Sequence, residues 1–145
     1  MQYNGNEEYI FTSYAHRDSA TVLPILQALQ NDGIRLWYDQ EIEAGNEFAQ
    51  LIYNRITEAQ VFLLFLSRAA MEASQCNAEL SLALDCKKKI LVVYLDGLTP
   101  DELRAGLRMR LASCQYLLSH RYADEAAFAK ALCDLPMLQS CRDEV

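Results

Sequence analysis

Few side chains in this 145-residue chain combine the types and spacings that chemistry needs. Its five cysteines, Cys76, Cys86, Cys114, Cys133 and Cys141, are odd in number and widely spaced, and its only histidines are His16 and His120. With no C-x-x-C pair, the short-spaced ligands of a structural zinc site are missing, and reduced thiols are the reading that fits. The five glycines build neither G-x-x-x-x-G-K-[ST] nor G-x-G-x-x-G, so the standard backbone cradles for phosphate are absent. No G-x-S-x-G elbow supports a serine hydrolase. A phosphate-accepting receiver domain would want paired carboxylates after its first strand and an Asp closing its third. Ser13-Tyr14-Ala15-His16 and Leu66-Ser67 stand there instead. What remains is a small set of polar residues at the ends of apolar runs: Ser13 and Tyr14 after the first, Asp39 after the second, and Glu79 in a helical stretch beyond the third.

The elements that must position these residues follow from hydrophobic periodicity. Glu8 to Ser13 is a short β-rich run; Ser19 to Asp32 carries Val22, Ile25, Leu26 and Leu29 at helical spacing and closes on Asn31-Asp32-Gly33. Pro24 belongs in a first turn, which puts the expected start of that helix near Thr21. Ile34 to Asp39 reads as a second strand and Gln40 to Asn46 as a polar loop. A helix with Phe48, Leu51, Ile52, Ile56 and Ala59 on one face comes next. Val61 to Leu66 and Ile90 to Leu95 are continuous apolar runs, the mark of strands buried on both faces. Between them a helix is expected from Ser74 to Cys86, with Ser74 as its N-cap. Pro100 to Arg110, Cys114 to Leu118 and Asp124 to Leu135 read as helix, fifth strand and last helix, with Phe128 and Leu132 inward. Strands alternating with helices imply an α/β fold, a flavodoxin-like, doubly wound, five-stranded parallel sheet covered on both faces. Any ligand crevice then lies at the carboxyl ends of the strands.

The apolar fraction of 52% and the charged fraction of 23% exclude a disordered tail. The length suits one domain that buries roughly two-thirds of its unfolded surface. With 13 Lys+Arg against 20 Asp+Glu, the net charge of −7 argues against nucleic acid and against an anionic membrane surface as partners. No apolar run approaches the roughly 18 residues that span a bilayer, and the first eight residues lack the order of a signal peptide. The expected location is the cytoplasm.

Phe11-Thr12-Ser13-Tyr14-Ala15-His16-Arg17-Asp18 resembles the first signature box of Toll/interleukin-1 receptor (TIR) domains, in which F-x-S-Y and a nearby Asp follow the first strand. Trp37-Tyr38-Asp39, then Glu43-Ala44-Gly45 and Phe48, resembles the second strand and the loop after it. Val61 to Ser67 with Ser74-Gln75-Cys76-Asn77-Ala78-Glu79-Leu80 resembles the third strand and the S-x-C-x-x-E-L segment. The match runs in order from about Glu8 to Asp96, and the strand pattern carries it to about Leu135, so a single TIR domain with a core of about 8–135 is expected within 1–145. The short boxes make the chain most similar to bacterial NAD+-consuming TIR domains of antiphage defence. A lone effector domain ordinarily comes with a sensor, fused or separate, so the expectation is a domain excised from a longer protein.

The resemblance implies cleavage of NAD+ at the nicotinamide–ribose bond, releasing nicotinamide and ADP-ribose or a cyclic ADP-ribose isomer. NAD+ is then the substrate, with no cofactor and no metal. The family's catalytic glutamate carries over to Glu79. One carboxylate suits this chemistry, because nicotinamide leaves neutral from a pyridinium and needs no general acid; the site has to stabilise an oxocarbenium-like ribose. At about 100° per residue, Cys76, Leu80, Ala83 and Leu84 form the inward face, and Glu79 falls roughly 60° from Cys76, at its edge. The plain alternative is a rim glutamate favoured by a helix N-terminus.

By the same resemblance Ser13 and Tyr14 line the dinucleotide site, Asp39 holds a ribose or the following loop, and Phe48 lies beside the nicotinamide end. Their bland alternatives are a capping serine and a half-buried tyrosine, an Asp that starts a turn, and the first core residue of a helix. Trp37 reads as core and His16 as a solvated loop residue. Two departures stand out. Enzymatic relatives often carry Trp four residues before the glutamate, where this chain has Gln75, which removes a stacking surface from the binding site. Some animal relatives have two arginines after the Tyr of the first box; here Ala15-His16 stand there, with Arg17 next. The resemblance further implies self-association through TIR–TIR contacts, with the loop 40–47 bridging protomers. A non-catalytic TIR interaction module, either a signalling adaptor or a mimic that engages host TIR domains, is the alternative. A nucleotide sensor without turnover is a third.

Overall fold

The fold is seen in a computed structural model that describes Gly5, residues 7–38 and residues 46–143, the side chains of Asn46 and Glu47 excepted. Among these residues five parallel strands make one sheet: β1 (Ile10–Ser13), β2 (Leu36–Tyr38), β3 (Val61–Leu66), β4 (Lys89–Tyr94) and β5 (Gln115–Leu118). Their spatial order is β2-β1-β3-β4-β5. In this doubly wound order the chain reverses direction between β1 and β3, which opens a crevice beyond the carboxyl ends of those two strands.

Among the described residues seven helices cover the faces. They are α1 (Ser19–Asn31), α2 (Asn46–Glu58), α3 (Arg68–Glu72), α4 (Ser74–Asp85), α5 (Ala105–Leu111), α6 (Glu125–Cys133) and α7 (Pro136–Gln139). The period-2 alternation of the strands divides the core. Phe11, Phe62, Leu64 and Val92 face one way with Ile56, Cys76, Leu80 and Ala83 of α2 and α4. Ile10, Leu63, Phe65 and Val93 face the other with Val22, Leu26 and Leu29 of α1 and Phe128 and Leu132 of α6. Register places Trp37, Phe11 and Phe62 side by side on β2, β1 and β3. Their rings stack across the sheet at 5.2 and 5.7 Å. Arg55 adds its guanidinium 6.0 Å from the Trp37 ring.

Helix ends follow their sequence signals where the backbone bonds are local. After α1, Gly33 takes a φ of +88° while its N–H donates to Gln30 and that of Ile34 donates to Leu29. This Schellman closure needs a left-handed residue, which glycine supplies without strain. The same closure ends α4, with Lys87 N–H donating to Leu84 and Lys88 N–H to Ala83, but there the left-handed residue is Lys87 itself, at φ +56°.

Several expectations change. The first helix starts at Ser19 rather than near Thr21, so Pro24 sits in its second turn. The expected Ser74 cap is not one: Ala73 occupies the N-cap of α4 without a side-chain bond. The short helix α3, absent from the periodicity, is capped by Ser67, whose hydroxyl accepts from Ala70 N–H at 3.0 Å. The stretch Pro100 to Arg110 splits into a 3-10 turn at Pro100–Glu102 and α5, and α7 is an additional turn. Leu51, placed on the inner face of α2, is 38% exposed.

Candidate active site

The site grows from the carboxyl end of β1. Ser13 follows Phe11 on the face that α4 covers, and it is 1% exposed. Glu79 lies in the second turn of α4, and its side chain is 5% exposed. The Ser13 hydroxyl donates to Glu79 Oε1 at 2.7 Å, and Gln75, one turn earlier, donates from Nε2 to Oε2 at 3.2 Å. Each carboxylate oxygen therefore accepts a hydrogen bond, so the group is buried with a partner at each oxygen. Burying such a group without partners would cost several kcal/mol. Glu79 is the sixth residue of α4, past the first turn in which the helix dipole acts, so hydrogen bonds rather than the dipole hold it. Glu79 is more deeply placed than its expected position at the edge of the inward face. Among the described residues it is the only buried carboxylate.

Two further hydrogen-bonded groups brace the site. After β1, His16–Asp18 forms a 3-10 turn. The carboxylate of Asp18 accepts a short hydrogen bond from Ser67, which is fully buried at the end of β3. Ser67 thereby joins the first box to α3. At the α3–α4 junction, Asn77 Nδ2 donates to the carbonyls of Met71 and Ala73, both at 3.0 Å, which fixes how α4 leaves α3. Sequence reasoning assigned Ser67 and Asn77 no role. The spacing of Ser67 from Ala70 is a cap signal that was legible, whereas the Asp18–Ser67 pair spans 49 residues and was not.

The structure brings Ser13, Gln75 and Glu79 together. Tyr14 lies on the other face of the sheet, 4% exposed, with its ring 6.4 Å from Tyr38 and 5.8 Å from His16. Phe48 is half-buried near the start of α2. Asp39 and residues 40–45 of the loop 40–47 lie outside the described residues. Trp37 is core, as expected. Thr12, beside Ser13, is 1% exposed and its hydroxyl has no hydrogen-bond partner among the described residues. No group of three His, Cys, Asp or Glu among the described residues is placed to hold a metal, and no helix there is long and apolar enough to cross a membrane.

This fold, with a serine and a buried glutamate at the switch point, defines a class that comparison with known families identifies. The TIR domain model matches residues 10–133, and the chain belongs to the TIR domain family. Solved structures share its fold. The TIR domains of the activated Roq1 resistosome that recognises the pathogen effector XopQ superpose with a TM-score of 0.69 at 17% identity, covering 87% of this chain and 97% of theirs. The RPS4 and RRS1 TIR domain heterodimer gives 0.65 at 17% identity, covering 88% and 94%. The Clostridium botulinum CMP N-glycosidase BcmB gives 0.63 at 16% identity, covering 86% and 98%. The sequence has no significant match among curated proteins.

Proposed function

We propose that this TIR domain is an NAD+ nucleosidase in which Glu79 is the catalytic residue. The observation that carries the reading is the one buried carboxylate among the described residues, held through both oxygens by Ser13 and Gln75 at the carboxyl end of β1. As the C1′–N bond of NAD+ breaks, its electron pair passes to the pyridinium nitrogen and nicotinamide leaves neutral. The positive charge left on the ribose is stabilised by Glu79 in a low-dielectric setting. Water then adds to C1′ and releases a proton, giving ADP-ribose; capture by the adenine or by a ribose hydroxyl gives a cyclic isomer instead. Cleavage of CMP, the substrate named for BcmB, releases a base that is uncharged in the nucleotide and so calls for a proton donor to the base as well. Among the described residues one buried carboxylate is present, and a single carboxylate suits the pyridinium substrate, which needs no such donor.

Self-association completes and speeds the site in this reading, with residues 40–47 at the contact between copies, a sensor domain as trigger, the cytoplasm as its location and antiphage defence as its setting. The heterodimeric and resistosome TIR assemblies among the structural neighbours support TIR–TIR contact as the mode of activation. A second reading, a non-catalytic interaction module, is favoured by Gln75 where enzymatic relatives often have Trp.

The test incubates concentrated protein, with and without a crowding agent, with NAD+ and separately with CMP, and resolves the products by chromatography beside a Glu79→Ala control. Nicotinamide release that rises with crowding and vanishes in Glu79→Ala is the expected result. Release that persists in the variant removes Glu79 from the chemistry, and no release from assembled protein leaves the interaction module.

A further inference from the structure

We infer that the cleft where α4 turns into β4 is a second binding site, for a small nucleoside phosphate, at the end of the sheet opposite Glu79. Three of the chain's four lysines, Lys87, Lys88 and Lys89, stand in a row there, and all three line a cleft of about 540 Å³. That volume lies within the range of small-molecule sites. Ser113, from the turn before β5, and Gln115, the first residue of β5, add a hydroxyl and a primary amide. Leu84 of α4, Ile90 of β4 and Met137 of α7 supply an apolar wall. Among the described residues no carboxylate lines the cleft, in a chain whose net charge is −7. Two other clefts mix signs: Arg55 meets Glu7, Glu8 and Glu58 in one, and Lys130 meets Asp32 and Asp134 in the other.

The fold itself uses only one of the three cations. Lys88 Nζ donates to the carbonyls of Thr57 and Ala59, at 2.6 and 2.9 Å, and so closes the end of α2. Lys87 and Lys89 are exposed and form no ion pair among the described residues. Lysines after a helix also complement its carbonyl end. That role does not extend to Lys89, which is already in β4. Nor does it require Lys87 to be left-handed, at φ +56°, in the place that Gly33 fills after α1. A strained residue at a cleft is the kind of local cost that binding sites carry. Burial pushes the Cys114 thiol up, so it stays neutral and adds no negative charge to the cleft. A nucleoside phosphate matches all three surfaces: phosphate oxygens for the ammonium groups, a base face for the apolar wall, and a base edge for the Gln115 amide. One row of three cations on an acidic domain is too little to hold a nucleic acid strand. Because the cleft lies at the amino ends of β4 and β5, its ligand is not the molecule cleaved at Glu79, and the inference does not rest on the nucleosidase reading.

The experiment follows the backbone amides of the 145-residue protein by 15N–1H NMR during titration with AMP, inorganic phosphate or adenosine. Saturable shifts at Lys87, Lys89, Ser113 and Gln115 are expected with AMP, weaker with phosphate or adenosine, and diminishing as salt is raised. The Kd for AMP should rise about 10-fold in Lys87→Gly and again in Lys89→Gln. Glycine relieves the left-handed backbone, so weaker binding by a Lys87→Gly protein that is no less stable in urea is loss of the ammonium group rather than loss of the fold. Absence of saturable shifts at these amides, or an AMP Kd unchanged in both variants, would overturn the inference. Shifts confined to the surroundings of Ser13 and Glu79 would do the same, by placing AMP in the other crevice. Phosphate bound as tightly as AMP would overturn the assignment to a nucleotide.

Discussion

Ser13→Ala is the most direct perturbation of the site, because it removes one oxygen and leaves everything else in place. The bond lost is a 2.7 Å O–H donation to the Glu79 carboxylate, which the proposed chemistry requires to be ionised, between two side chains that are 1% and 5% exposed. At that burial the cost is that of a buried charged hydrogen bond, about 2 kcal/mol. For a domain of this size that is roughly a 4–8 °C fall in Tm. Urea denaturation of wild type, Ser13→Ala, Glu79→Gln and the double variant closes a thermodynamic cycle. With the charge gone in Glu79→Gln, the serine bond becomes a neutral one, and its removal should cost about 1 kcal/mol or less. The difference between the two backgrounds is the coupling, expected at about 1–1.5 kcal/mol. A cost for Ser13→Ala below about 0.5 kcal/mol, or the same cost in both backgrounds, would refute the argument that Ser13 holds a buried carboxylate.

Four other outcomes follow from particular residues. Thr12→Val keeps the shape of a side chain whose hydroxyl is buried without a partner among the described residues, and should stabilise the fold by about 1 kcal/mol in denaturant unfolding; destabilisation would show that the hydroxyl is in use. Lys87→Gly relieves a left-handed lysine and should add about 0.5–1 kcal/mol, whereas a loss would place Lys87's side chain in an important contact. Arg35→Met strips a buried guanidinium of its bonds to Glu8, Ser140 and Asp143 and should cost about 3 kcal/mol by the same measurement, with a change under about 1 kcal/mol counting against the clasp. Burial, with the nearby Asp32 carboxylate adding to it, pushes the Cys133 thiol from its ordinary value up to about 11, and burial pushes the Tyr94 phenol up to about 12. The unfolded chain then releases these protons first, so stability falls as pH rises, from about 9 to 11 through Cys133 and from about 10 to 12 through Tyr94. Unfolding at pH 8 and 10.5 should show a smaller alkaline loss in Cys133→Ala; an unchanged loss would refute the assignment.

What was legible in the sequence is what local physics controls. β3 has the bounds its apolar run implies, Val61–Leu66, because a strand buried on both faces excludes polar residues along its whole length. The close of α1 was readable because Gly33 is the left-handed residue its backbone needs. Pro24 misled, since burial of Val22, Ile25, Leu26 and Leu29 offsets the loss of one hydrogen bond in an early turn. Ser74 misled because the chain already enters α4 at Ala73, whose carbonyl accepts from both the backbone N–H and the Nδ2 of Asn77, leaving Ser74 inside the helix. Glu79 could be singled out by its motif, but its bond to Ser13 joins residues 66 apart and exists only once β1 and α4 are packed. Tyr14, adjacent to Ser13 in sequence, went to the opposite face because a strand alternates.

The Arg35 clasp has a consequence for how this domain can be wired into larger molecules. Its guanidinium donates to the Glu8 carbonyl ahead of β1 and to Ser140 and Asp143 after α7, while Ile34 pairs with Arg142 as an isolated antiparallel bridge. The incoming and outgoing chain are thus stitched together beneath the amino ends of the strands, at the floor of the sheet, whereas Ser13 and Glu79 occupy its roof. A segment joined to either side of the domain departs from that shared floor. A partner could be appended at one end, at the other, or around the whole as an inserted cassette, and in each arrangement it would join at the end of the sheet opposite Ser13 and Glu79.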